Sequence, residues 1–356
     1  MKVSFYHLGN SWIAFKGMME KLGLEVVKPP KITKATLAFG VKHSPESACE
    51  PFKYILGEYH DILEAGADTI FHIENRSEQA CRIPQYTTGP KTILEKLGYK
   101  FETIPWGGKN QKELLKEFKK FAPNLNMISF KAAQLFCINK LRYIEWLEDF
   151  VNQLRPYAVN KQNCDKLMTM GLDLIDKAQN IISLRNAKIK IKSMGDQIKV
   201  DKNKKVIPVM VVGDLFRILE PEANQHIFKK LGEYDILPYR SFYLSQHLRK
   251  AGNIGPWGKR SFKYRYKFAQ PYIEKKMAIG TLVAVGDTVK ELKEKKVKGI
   301  IHLYNFTCMP EIVNSVIFKK IAKDFNVPLL SLVSGEHELV AHQDTRIEAF
   351  VDLLRK

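Results

Sequence analysis

The sequence predicts an α/β fold in two domains, each built on a parallel sheet, with a helical segment joining them. Two observations carry this. Short apolar runs rich in β-branched and aromatic residues alternate with helix-period segments through both ends of the chain, the pattern of a parallel sheet with helices on its faces. Between them, residues 129–187 drop the short runs and repeat apolar residues at helical spacing only.

The first domain is expected over 1–125, with strands at Lys2–Leu8, Leu24–Lys28, Thr36–Gly40, Thr69–Glu74 and Lys100–Pro105. Helices are expected near Trp12–Leu22, Phe52–Ala65, Pro90–Leu97 and Gln111–Phe121, with Gly23, Gly66 and Gly98 as helix stops. The middle, 126–200, reads as a helical hairpin broken at Pro156, its second helix starting near Lys161, followed by a basic linker at Lys199–Lys205. The run Val206–Gly213 opens the third segment, 201–356, whose further strands are Tyr234–Arg240, Gly299–Phe306 and Val327–Val333 and whose last helix is Thr345–Leu354. No short-period repeat is present, although the two α/β halves could share a topology.

Composition narrows the function classes. With 356 residues, 45% hydrophobic and 27% charged, the chain has material for a substantial core and is neither disordered nor fibrous. No apolar stretch of about 18 residues is present to span a bilayer, and the N-terminus lacks a signal-peptide pattern, so a cytoplasmic protein is expected. Lysine and arginine number 57 against 38 acidic residues, a net charge of +19, which points to anionic partners. The basic runs are mixed with Glu, Asp and aliphatics, as on solvated helix faces. A nucleic-acid-binding reading rests on charge alone, without an aromatic-interleaved basic motif, a helix-turn-helix signal or a zinc-finger spacing.

Five cysteines are too few for a disulfide scaffold, and their odd number suits thiols or metal ligands. Three share a local pattern in which a proline closely follows: Cys49-Glu50-Pro51, Cys81-Arg82-Ile83-Pro84 and Cys308-Met309-Pro310. Proline suits a first helical turn, so Pro51 and Pro310 mark helix starts that place a cysteine beside unpaired backbone N–H groups. Such a position favours thiolate and offers hydrogen bonds to sulfur, which metal or iron–sulfur ligation needs; buried, inert thiols remain the alternative. Cys137 reads as a small core residue and Cys164 as an incidental thiol. His7 and His302 fall in strands, as packed residues do. Glu336 and His337 follow a strand, where a loop lines a cleft, and are weak candidates for acid–base or metal-binding work beside the alternative of a solvated loop. No G-x-G-x-x-G or G-x-x-x-x-G-K-[ST] phosphate loop is present.

Taken together, these segments resemble the 2-hydroxyacyl-CoA dehydratase superfamily (D-component-like), in particular its activase-related, CoA protein activase-like branch. The resemblance is strongest over His302–Val313, Val327–Leu332 and Asp344–Asp352. It extends to Ala48–Lys53, Ala80-Cys81-Arg82, and Gly213-Asp214 with Leu219–Asn224. It implies two Rossmann- or flavodoxin-like domains with a [4Fe-4S] cluster in the interdomain cleft, held by Cys49, Cys81 and Cys308, one iron being left without a cysteine ligand. It further implies a radical dehydratase or reductase subunit acting on a 2-hydroxyacyl-CoA thioester. The partners implied are a homologous subunit or a second copy, and an ATP-dependent iron–sulfur activator that supplies low-potential electrons. The chain departs from the family at Ala278–Gly286 and at Ser334–His342, which bears on substrate handling. That second departure favours an alternative of the same fold, a non-catalytic electron-transfer or assembly protein. Five cysteines cannot supply the six of a double cubane, so a single cubane is expected.

Overall fold

The structure, a computed structural model, describes residues 1–73, 83, 86–106, 110–251, 264–273, 279–335 and 340–356. The chain divides into two compact units. The first comprises Met1–Arg142, Gln179–Ile181 and Leu244–Gly258, and the second Tyr143–Ala178, Ile182–Tyr243 and Lys259–Lys356.

In chain order the first unit contains β1 (Lys2–Phe5), α1 (Trp12–Lys21), β2 (Glu25–Val26), α2 (Lys34–His43), α3 (Glu50–Glu64), β3 (Thr69–Ile73), α4 (Thr88–Lys96), β4 (Glu102–Trp106) and α5 (Gln111–Lys119). Its four strands form one parallel sheet in the order β2-β1-β3-β4. A parallel sheet covered on both faces has apolar strands, and here an aromatic cluster fills the space beside it. Phe5, Phe15, Phe71, Trp106 and Phe118 meet ring to ring at centroid distances of 5.5–6.5 Å. The expected helix stops hold: Gly23, Gly66 and Gly98 take φ of +78°, +90° and +96°, the left-handed turn that ends α1, α3 and α4.

The segment Thr36–Gly40, expected as a strand, lies inside α2. A reciprocal cap between Thr33 and Thr36 starts that helix, and the Thr36 hydroxyl donates to Asp61 of α3. Packing against α3 thereby overrides the β propensity of Thr-Leu-Ala-Phe.

The expected hairpin is instead three helices. α6 (Met127–Leu154) ends at a 3₁₀ turn, Arg155–Tyr157, on the Pro156 break. α7 (Gln162–Lys177) and α8 (Ile181–Asp196) follow, with a break at Ala178–Asn180 that neither proline nor glycine announces. In the second unit, Gly171 of α7 packs on Leu147 and Gly195 of α8 on Phe150.

The second sheet is formed by β5 (Ile207–Gly213), β6 (Ile236–Arg240), β7 (Ile300–Asn305) and β8 (Leu329–Ser334) in the order β6-β5-β7-β8, again all parallel. Between strands lie α9 (Leu215–Leu219), α10 (Ile227–Glu233), α11 (Leu244–Ala251), which belongs to the first unit, α12 (Ile279–Lys293) and α13 (Met309–Phe325), and α14 (Val340–Arg355) closes the chain. Both units therefore have the order second, first, third, fourth strand of a Rossmann- or flavodoxin-like sheet. In each sheet the third strand is central, Ile70 of β3 pairing with Ser4 of β1 and Ile300 of β7 with Met210 of β5, and its sequence contains a run of similar pattern, Ile70–Ile73 and Ile300–Leu303. Each run carries a histidine at its third position, His72 and His302, and both are fully buried.

Two largely buried ion pairs hold elements of the second unit together. Arg240, at the end of β6, is buried against Glu148 (2.6 Å) and Asp149 (3.0 Å) of α6 and donates to the Glu145 carbonyl. Asp287 of α12 accepts from Arg265 at 2.7 Å, yet burial outweighs that pair and pushes its carboxyl up to about 6. The folded state thus holds a proton between about pH 4 and 6 that the unfolded chain has already lost, and stability falls as pH rises through that window. Urea unfolding of wild type and Asp287→Asn at pH 4.5 and 7 is expected to show this fall in wild type and a shallower one in the variant. Equal slopes would show that Asp287 is not the titrating group.

Candidate functional site

In open α/β sheets ligands bind beyond the carboxyl ends of the strands, where the chain runs from the first strand to one side and from the third to the other. Each unit of this chain has such a place, between β1 and β3 and between β5 and β7. Chemistry-bearing side chains gather at both.

In the first unit, Cys49 is the N-cap of α3, with Pro51 in the first turn, as the sequence pattern predicts. It is 7% exposed, and its Sγ lies 2.6 Å from the Tyr86 hydroxyl. Tyr86 in turn stands edge-on to Phe52 of α3 at 4.9 Å. One turn into the helix, Lys53 is buried. Desolvation holds its ammonium below the usual lysine range, against the pull of Glu50, Cys49 and Glu46. The Lys53 ammonium thus lies one turn into the helix from the Cys49 sulfur and interacts with it electrostatically.

Two histidines anchor α3 to the sheet. The backbone N–H of His7, just past β1, donates to Glu58 Oε2 at 2.6 Å, and His7 Nδ1 lies 2.8 Å from the same oxygen. Glu58 is buried, and desolvation raises its carboxyl above the usual range in spite of His7. His72 of β3 meets the Tyr59 hydroxyl through Nδ1, and burial pushes its pKa down to about 3, so it stays neutral at physiological pH.

In the second unit, Cys308 is the N-cap of α13 with Pro310 in the first turn, the same helix start as at Cys49. The loop that delivers it is fixed by hydrogen bonds. Asp214, the N-cap of α9, accepts from the Arg217 N–H at 2.9 Å and from Asn305 Nδ2 at 3.2 Å, joining the ends of β5 and β7. Asn305 accepts from the Thr307 hydroxyl at 3.2 Å, and its carbonyl accepts from the Cys308 N–H at 3.0 Å. His302 Nε2 lies 2.8 Å from Glu311 Oε2, and Glu311 Oε1 accepts from Asn314, so the first turn of α13 is pinned to β7. A buried histidine on the third strand of each sheet therefore holds the cysteine-bearing helix, His72 through Tyr59 and His302 through Glu311.

Replacing Asp214 by alanine strips a cap and leaves the Asn305 amide without that acceptor. Urea unfolding is expected to show a loss of about 1–3 kcal/mol. Asp214→Asn keeps a capping oxygen and recovers part of it, whereas an unchanged midpoint in the alanine variant would mean the loop holds without this bond.

Of the remaining candidates, Cys81, Glu336 and His337 lie outside the described residues. Cys137 and Cys164 are fully buried and burial raises both thiols, so Cys164 is a core residue rather than an incidental thiol. Among the described residues no group of three or more His, Cys, Asp or Glu side chains stands ready to hold a metal ion. The sequence reading assigned no positioning role to Glu58, His72, Asp214, Asn305 or Glu311. The contacts that tie them to other elements reach 9 to 91 residues along the chain, and a sequence pattern gives little sign of them.

Comparison with known proteins adds one finding. The family model described as CoA enzyme activase uncharacterised domain (DUF2229) matches residues 5–240, well over half of the chain. The match takes in Cys49 and Cys81 and ends at the last residue of β6, before Cys308. No curated protein matches the chain significantly. Among the described residues no helix is long and apolar enough to cross a membrane.

Proposed function

Because the chain belongs to the CoA enzyme activase uncharacterised domain family, we propose that it is an iron–sulfur subunit of the 2-hydroxyacyl-CoA dehydratase type. In this reading Cys49, Cys81 and Cys308 hold a [4Fe-4S] cluster, and the chain works with a homologous subunit or second copy and an ATP-dependent activator. The observation that carries the reading is the shared helix start. Cys49 and Cys308, more than 250 residues apart, are each an N-cap followed by a first-turn proline at the ligand-binding end of a parallel sheet.

The donor set fits such a group. Thiolates are its ligands, and sulfur at a helix N-terminus is offered backbone N–H groups that balance negative charge. Bound there, the cluster would supply one low-potential electron to a CoA thioester. The chain's own residues do the rest. Lys53 offsets anionic charge at Cys49, and Tyr86 meets that sulfur. Asn305, held by Asp214, sets the backbone that presents Cys308, and the Glu311–His302 contact keeps the helix start from drifting. The basic balance of the chain favours the phosphates of CoA or an acidic partner.

The test is anaerobic purification with iron and acid-labile sulfide analysis, and absorption spectra before and after dithionite. About four irons and four sulfides per chain, with a visible absorption band that bleaches on reduction, is the expected result. No iron after anaerobic reconstitution would overturn the reading.

A further inference from the structure

Helix α13 is apolar on two faces. One face buries Phe318, Ile321 and Ala322 in the core of the second unit, against Ile300 and Val289. The other presents Met309, Ile312, Val313 and Val316, at 62%, 48%, 44% and 67% exposure, with Phe306 at 73% just ahead of the helix. Their spacing of three, four and seven residues makes one continuous stripe about 10 Å long, where a helix facing solvent ordinarily carries polar residues. A contiguous apolar patch of this kind marks an interaction surface.

The stripe does not end in neutral surface. The same face continues as Lys319, Lys320 and Lys323, all exposed, with Asp324 beside Lys320 at 3.3 Å as the nearby acid. We propose that this face docks an acidic protein partner, one that lays an apolar surface on Met309–Val316 and carboxylates on Lys319, Lys320 and Lys323. Charge decides the occupant. A second copy brings the same lysines and its own net charge of +19, which opposes approach, whereas an acidic protein is steered towards it. Phe306 and Met309 flank Cys308, so the partner sits at the head of the helix that Cys308 caps. The inference needs no cluster and stands apart from the ligand assignment.

The test places a photo-crosslinking phenylalanine derivative at position 316 of the full chain, and at exposed Ile189 as a control, in cells of the native host. Adducts are identified by mass spectrometry. An acidic protein is expected at 316 and not at 189. With that protein purified, Lys319→Glu/Lys320→Glu is expected to weaken binding by about tenfold or more, and raised salt to weaken wild-type binding. Val316→Glu is expected to abolish binding while leaving the thermal midpoint unchanged, since the side chain is exposed. A self-adduct at 316, a dimer that Val316→Glu dissociates in sedimentation velocity, a partner that is not acidic, or no adduct at all would each overturn the proposal.

Discussion

Anaerobically purified Cys49→Ala, Cys81→Ala and Cys308→Ala proteins are each expected to lose bound iron, whereas Cys137→Ala and Cys164→Ala keep the wild-type content. Position accounts for the difference between the two groups. Cys137 and Cys164 are fully buried, and desolvation raises both thiols, so neither is poised to become a thiolate. Cys49 and Cys308 instead head helices, and for Cys49 the Lys53 ammonium lies one turn on. The expected change is from about four irons per chain to near none, because a cubane missing one of three thiolates loses its hold on the protein. Serine variants at the same positions control for volume. Equal iron in all five alanine variants would refute the ligand set, and loss in Cys137→Ala without loss of fold would reassign it.

What the sequence discloses about this site depends on how far a cause reaches along the chain. Proline in a first helical turn is a local cause, since its missing N–H is one that the helix start leaves unpaired anyway. The starts at Cys49 and Cys308 were legible for that reason, as were the stops at Gly23, Gly66 and Gly98. The strand reading of Thr36–Gly40 failed because part of the cause lies far along the chain. Besides a local Thr33–Thr36 cap, its helix rests on packing against α3, whose Asp61 takes the Thr36 hydroxyl. The break between α7 and α8 was hidden because Ala178-Gln179-Asn180 contains no breaker residue. The side chains that position the cysteines were least legible. Glu58 meets His7 across 51 residues and Asp214 meets Asn305 across 91, contacts made only once the strands are in register.

Gly57→Ala is expected to be strongly destabilising, among the largest effects of any single-methyl change in the first unit. A Cβ at Gly57 would stand 1.9 Å from the Thr36 carbonyl oxygen, and one at Gly40 would stand 1.8 Å from that of Lys53, so α2 and α3 cross with backbone against backbone. The atom in the way is a carbonyl fixed inside a helix, which cannot rotate aside as a side-chain end could. The helices must part, opening their contact along its length, at an expected cost of about 3 kcal/mol or more. At about 2–4 °C per kcal/mol for a unit of this size, the thermal midpoint falls by roughly 6–12 °C or more. Gly280→Ala supplies the opposite sign. That glycine lies in α12 with nothing among the described residues within 4 Å of a Cβ, so alanine there is expected to add about 0.5–1 kcal/mol through the unfolded chain alone. The crossing also bears on Cys49, because the displaced helix is the one it caps. Alkylation of Cys49, 7% exposed in the native chain, is expected to quicken in Gly57→Ala and stay at the wild-type rate in Gly280→Ala. A Gly57→Ala protein that melts with wild type would show that the two helices stand further apart than this crossing requires, and would remove the close packing that sets the place of the Cys49 sulfur.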